Sequence, residues 1–312
     1  MNPLKAKYAG SRPLVKVLQW MGAVMLLFVL AVLIVSVLKT LCGWSLADTN
    51  YLRTVQALQT LCVFFLPPFV VAYLWSEQPL RWLHLQKTSC PAVLWLLVPL
   101  SMVIAAPGIN LLAHLNEQVS LPAFLQPLEE IMKEMELRAA ELTEQFLQVH
   151  SVKGLLVNIL IMALLPAMGE ELSFRGLLLN SLTRPSGESV QTARRSSFHI
   201  AVWVVAILFS AIHLQFYGFI PRMLIGAYLG YLLLWSGSLW LPILAHFTNN
   251  AIAVTTYYIA FRSQADTSVL ETIGTGDTLW LGITSLVLSL LLIFCIYRIT
   301  SGTNQHVVIN TQ

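Results

Sequence analysis

Six polar residues stand in the apolar second half of this 312-residue chain, at intervals that could assemble a reactive centre. Glu170 and Glu171 are adjacent, and Arg175 follows four residues after Glu171. His213 lies four residues after Phe209, and Asn250 lies four residues after His246. A carboxylate beside imidazoles is equipment for activating water: a general base next to a proton shuttle or metal ligand. A His–Asn pair on one helix face can donate hydrogen bonds to a developing oxyanion. Glu170, His213 and His246 also make up a zinc donor set with an open position for water, although they are spread over separate segments rather than in an HExxH helix. A proton- or ion-coupled transporter would use buried Glu and His too, but no inverted repeat or matched pair of broken helices supports it. Each group alone is weak, because a lone transmembrane His or Asn is commonly an interhelical hydrogen-bond partner. Their concentration on three segments is the stronger signal.

The cost of these groups says where they must face. A charged side chain at a transmembrane helix centre costs about 2.5 to 3.5 kcal/mol on translocon scales, so Glu170, Glu171 and Arg175 cannot all meet lipid unpaired. Glu171 and Arg175 share a helix face and can neutralise each other. Glu170 lies about 100° round the helix and lacks that partner.

The elements that must position these residues are apolar helices. The chain is 57% hydrophobic and 11% charged, with mean hydropathy +0.72, which excludes an ordinary soluble domain and predicts an all-α, polytopic membrane bundle. A net charge of +3 without basic runs excludes nucleic acid as a partner. The scattered cysteines Cys42, Cys62, Cys90 and Cys295 predict neither a disulfide framework nor a thiolate metal site. Runs of about 20 apolar residues predict eight spans. These are Val17–Leu38, Val55–Trp75 (kinked or broken at Pro67-Pro68), Ala92–Leu112 (interrupted at Pro107-Gly108), Gly154–Leu182, Ile200–Phe216, Ile220–Trp235, Leu239–Phe261 and Leu279–Ile299.

Between the third and fourth spans, Pro122–His150 has a different character. Leu128, Ile131, Met132, Met135, Leu142, Phe146 and Val149 recur at helical spacing, opposite a face rich in glutamate. The expectation is an extramembrane amphipathic helix, either a solvated helix packed on the bundle or a lid over a site. The predicted divisions are 1–121, N-terminal transmembrane helices; 122–151, the acidic helix; 152–262, a catalytic core; and 263–312, a loop, last span and tail. Eight spans put both termini on one side, and Lys and Arg in the N-terminal arm and the Thr183–Ser197 loop make that side cytoplasmic. Glu170 and His213 then fall at opposite depths unless the long fourth segment starts outside the hydrocarbon. Gly154–Leu182 spans roughly 43 Å at 1.5 Å per residue, against a core of about 30 Å, which leaves room for that offset.

Glu170-Glu171-x-x-x-Arg175, Phe209-x-x-x-His213 and His246-x-x-x-Asn250, in that order on successive apolar segments, resemble the three motifs of the CPBP (Abi) family of intramembrane proteases, which includes the type II CAAX prenyl endopeptidases. The resemblance covers about Asn158 to Tyr258 and extends to Pro242-Ile243-Leu244-Ala245-His246 and the Ser236-Gly237-Ser238-Leu239-Trp240 turn. It implies an intramembrane endopeptidase acting on a protein or peptide that reaches the site from the membrane or the cytoplasmic side, in a bacterial cytoplasmic membrane. By that similarity Glu170 and His213 activate the attacking water, and His246 and Asn250 stabilise the oxyanion. Glu171, Arg175 and Phe209 support the site. Family resemblance leaves open whether a divalent metal such as zinc, on Glu170, His213 and His246, takes part. A non-enzymatic binding or bacteriocin-immunity protein that keeps the fold is the alternative, and an ion-coupled transporter the third.

Overall fold

The computed structural model describes residues 4–87, 90–183, 195–266 and 268–309, and among these it contains helices and turns but no strand. Nine helices carry the architecture: α1 (Pro13–Cys42), α2 (Thr49–Trp75), α3 (Leu94–Glu117), α4 (Gln126–Leu147), α5 (Val152–Thr183), α6 (Arg195–Ala211), α7 (Phe219–Ser236), α8 (Trp240–Arg262) and α9 (Leu279–Ile309). Each predicted span overlaps one of them, the fifth running past the end of α6 to Phe216. Among the described residues six helical stretches are long and apolar enough to cross a membrane, namely α1, α2, α3, α5, α7 and Gly276–Ser301, which takes in most of α9. Phe198–Ala211 of α6 is apolar but shorter. α8 is not among the six, because His246, Thr248, Asn249, Asn250, Thr255 and Thr256 dilute its apolar character. Arg184 and Arg194, on which part of the orientation argument rests, lie outside the described residues.

Local chemistry sets several helix ends. Asp48 caps α2 by accepting from the Asn50 N–H at 2.8 Å, and Ser151 caps α5 by accepting from Gly154 at 3.0 Å. Gly43 and Gly237 close α1 and α7 in the left-handed region, at φ +66° and +64°.

Neither expected helix break occurs. α2 runs unbroken through Pro67-Pro68, because the turn before them, Thr60–Phe65, widens to π geometry and accommodates the prolines' missing donors and bulk. α3 also continues through Pro99 and Pro107. There the Ser285 hydroxyl of α9 accepts from the Gly108 N–H at 2.9 Å and donates to the Ile104 carbonyl, bridging the opened helical bond.

Two apolar clusters share α7 and α8. One joins α2, α5 and α6 through Leu172, Phe174, Val205 and Phe209, while the other joins α3 and α9 through Val98, Met102 and Ile296. α7 and α8 therefore form the spine on which the polar residues converge. α1 stands at the periphery beside α2, with most of its large apolar side chains exposed.

α4 buries side chains on the bundle at its C-terminal end only. Leu128, Ile131, Met135 and Leu142 are exposed, and only Phe146 and Leu147 at its C-terminal end are buried.

Candidate active site

α5 is not a uniform α-helix, and its irregularity lies where the charges are. π turns at Ile159–Leu164 and Leu172–Leu179 flank the α-helical Leu165–Glu171. Such wide turns recur at functional sites because each re-aims the side chains beyond it. The second abuts the wide turn of α2, where the Ser173 hydroxyl donates to the Phe64 carbonyl at 2.7 Å. Gly169 permits the approach: a Cβ there would stand 3.1 Å from Phe64 Cβ and 3.3 Å from the Phe65 nitrogen.

Glu171 and Arg175 form the expected pair at 2.7 Å, with both side chains fully buried. Arg175 Nη2 also donates to the Gly226 carbonyl of α7 at 2.8 Å, and the guanidinium carbon lies 4.6 Å from the Phe209 ring centroid. Glu171 Oε1 receives a second contact, His246 Nδ1 of α8 at 2.8 Å. A carboxylate paired with arginine only accepts, so Nδ1 carries the proton and His246 turns Nε2 the other way. That nitrogen lies 3.8 Å from Glu170 Oε2. Glu170 Oε2 is buried and has no hydrogen-bond partner.

His213 does not lie within a helix as expected. α6 ends at Ala211, and the chain turns through His213 with Leu214 at φ +55°. Irregular backbone within a membrane bundle is tolerated where it lines a cavity, which His213 does. Its Nδ1 is 2.7 Å from the Phe209 carbonyl, an acceptor only, so His213 also carries its proton on Nδ1 and presents Nε2. Phe209 locks the arrangement, with its ring edge-on to both imidazoles at 5.1 and 5.8 Å.

Glu170, His213, His246 and Asn250 all line one cavity of about 650 Å³. Asn250 Oδ1 accepts from Asn249 at 3.2 Å, which leaves its NH₂ to donate elsewhere. No ion-pair contact within 4 Å joins Glu170 to His213; the imidazole that reaches Glu170 is His246. The two histidines have the protonation that metal-ligating imidazoles adopt, with Nδ1–H given to a carboxylate or carbonyl. The spacing does not follow: among the described residues, no three His, Cys, Asp or Glu side chains are arranged to hold a metal ion.

One contributor escaped the sequence reading. Arg222, early in α7, lines the cavity and is held by Gln215, with Nη2 2.8 Å from Oε1. A lone arginine inside an apolar helix was the available signal. The C-terminal end of α4 supplies Leu142, Thr143, Phe146 and Leu147 to the cavity wall.

Residues 152–252 match the family model described as type II CAAX prenyl endopeptidase Rce1-like. This segment is therefore similar to the Rce1-like endopeptidases. It holds Glu170, Glu171, Arg175, Phe209, His213, His246 and Asn250. No curated protein and no solved structure matches the chain. The apolar helices make this an integral membrane protein, and its segment 152–252 is similar to CAAX-protease-type endopeptidases.

Proposed function

We propose that the protein hydrolyses peptide bonds inside the bundle, using water activated by Glu170. The observation that carries this reading is the buried, unpartnered Glu170 Oε2, which opens on a cavity shared with two imidazoles that both present Nε2. A buried acceptor without a partner is costly unless it receives a proton donor during function, and water is the donor that fits. Glu170 takes one proton from water as the water oxygen bonds to the carbonyl carbon, with His213 Nε2 accepting the second water hydrogen bond. The Asn250 NH₂ donates to the oxyanion that forms. Glu170 then returns its proton to the amide nitrogen as the C–N bond breaks, which leaves a carboxylic acid and an amine. Glu171 holds His246 in one tautomer, and Arg175 holds Glu171.

No step is routed through a metal, since the donors are not spaced as a cage. A metal bound there would supply a polarised water.

The test is proteolysis of a peptide library by the membrane-reconstituted protein. Glu170→Gln keeps the shape and removes the base, so turnover should fall by about 10²- to 10⁴-fold while thermal unfolding is unchanged. Normal turnover in that variant would overturn the reading. Activity that survives exhaustive chelation and disappears with His213→Ala would fit Glu170 and His213 acting alone. Loss on chelation with recovery on adding a divalent ion would assign the water to a metal.

A further inference from the structure

Away from the catalytic cavity, a second cavity of about 620 Å³ opens between the starts of α2 and α5. Its polar end is formed by Trp44, Asn50, Arg53, Ser151 and Lys153. Leu58 on α2 and Ile161 on α5 line its other end, roughly 7 to 12 Å further along the helices at 1.5 Å per residue. Both helices begin here, so their positive dipole ends lie at the polar end.

The charge is one-sided. Arg53 and Lys153 supply two cations, and neither makes an ion pair within 4 Å among the described residues. Asp48, the nearby acid of the α2 cap, accepts from Asn50 and does not line the cavity. Arg53 is oriented by a single neutral partner, with Nη2 3.1 Å from Asn158 Oδ1. Its Nε is buried with no acceptor. An orphaned guanidinium donor costs free energy that an anion's oxygen would recover. Guanidinium geometry matches phosphate oxygens in particular.

We infer that this cavity binds the headgroup phosphate of an anionic phospholipid, with an acyl chain lying along Leu58 and Ile161. A free phosphate would satisfy the same cations, but it would leave the apolar end unused. The cavity lies where a membrane-spanning pair of helices emerges, and Trp44 belongs to the residue type that settles at headgroup level. The inference is independent of the catalytic reading.

Native mass spectrometry of the full-length protein, delipidated in detergent and titrated with phosphatidylglycerol or phosphatidylcholine, tests it. Phosphatidylglycerol should be retained preferentially. The double variant Arg53→Gln with Lys153→Gln should lose that preference by about tenfold or more, as expected when two charge-assisted contacts are removed. Lys153→Gln alone, at an exposed side chain without an ion pair among the described residues, should give a partial loss with unchanged unfolding temperature, and it decides the matter if the double variant fails to fold. Arg138→Gln, on exposed α4, should change nothing. Equal retention of the two lipids, or a preference that survives Lys153→Gln and the double variant, would overturn the proposal. Displacement of the lipid by millimolar inorganic phosphate, with no dependence on the acyl chain, would overturn the lipid assignment in favour of a soluble anion.

Discussion

Glu171–Arg175 in α5 and Glu134–Arg138 in α4 are the same pair in sequence: glutamate, then arginine four residues on, with contacts of 2.7 and 2.6 Å. Their surroundings reverse their meaning. In α5 both side chains are wholly buried, and Arg175 also binds the Gly226 carbonyl and the Phe209 face while Glu171 holds His246. In α4 the two side chains are 64% and 72% exposed and touch nothing else that matters to the cavity. Water screens the exposed pair, whose contribution is within about 0 to 1 kcal/mol. Burial makes the other pair indispensable, because removing one partner strands a charge. The buried polar centre is thus held rigidly, whereas the helix forming part of its cavity wall is held by a few tethers.

The largest difference should appear on breaking the two pairs. Arg175→Ala should destabilise the bundle by about 3 to 5 kcal/mol, and Arg138→Ala by less than about 1 kcal/mol, read from denaturant unfolding in a common detergent. Equal losses would mean that Arg175 is solvated. A smaller effect is expected at the hinge between the regions. Asn158 is 1% exposed and donates to the Phe146 carbonyl at 2.6 Å while accepting from Arg53. Asn158→Ala should cost about 1 to 3 kcal/mol and speed amide exchange at the end of α4. Protection there as in the wild type would refute the tether.

Weaker again is the contact between Glu136 and the Tyr217 N–H at 3.1 Å. Glu136→Ala should raise amide exchange at Tyr217 by a factor corresponding to about 1 kcal/mol and leave the unfolding of the core unaltered.

The smallest effect is a pH dependence at the start of α4. The Lys133 hydrogen bond, followed by that from the Leu121 N–H, holds the Glu129 carboxyl below its ordinary range. A depressed folded pKa contributes stability that is complete above the unfolded value and lost as pH falls through the folded one. Proteolysis of the 121–133 segment should therefore increase only below the ordinary glutamate range, and Glu129→Gln should abolish that dependence.

Much of the site was legible because lipid permits few explanations for a charge. Glu170, Glu171 and Arg175 had to face inward, and the Glu171–Arg175 contact follows from helical spacing alone. The end of α6 was not legible. Leu214 takes the left-handed turn without the glycine or asparagine that usually announces one. The helix breaks expected at Pro67 and Pro107 failed for a related reason. One is absorbed by a wide turn, the other by a serine hydroxyl 177 residues away in sequence.

Composition and periodicity by themselves determined an all-helical membrane protein, the acidic helix, and the order of the three polar motifs. Each depends on what one segment can do in hydrocarbon or water. Only the tertiary structure decided that His246 is held by Glu171 and faces Glu170, that His213 approaches from a turn, that Arg222 joins them, and that Phe146 and Leu147 help close the cavity. Those relations depend on the depth and rotation of one helix against another. Packing and wide turns set these, and no repeat within a single helix records them.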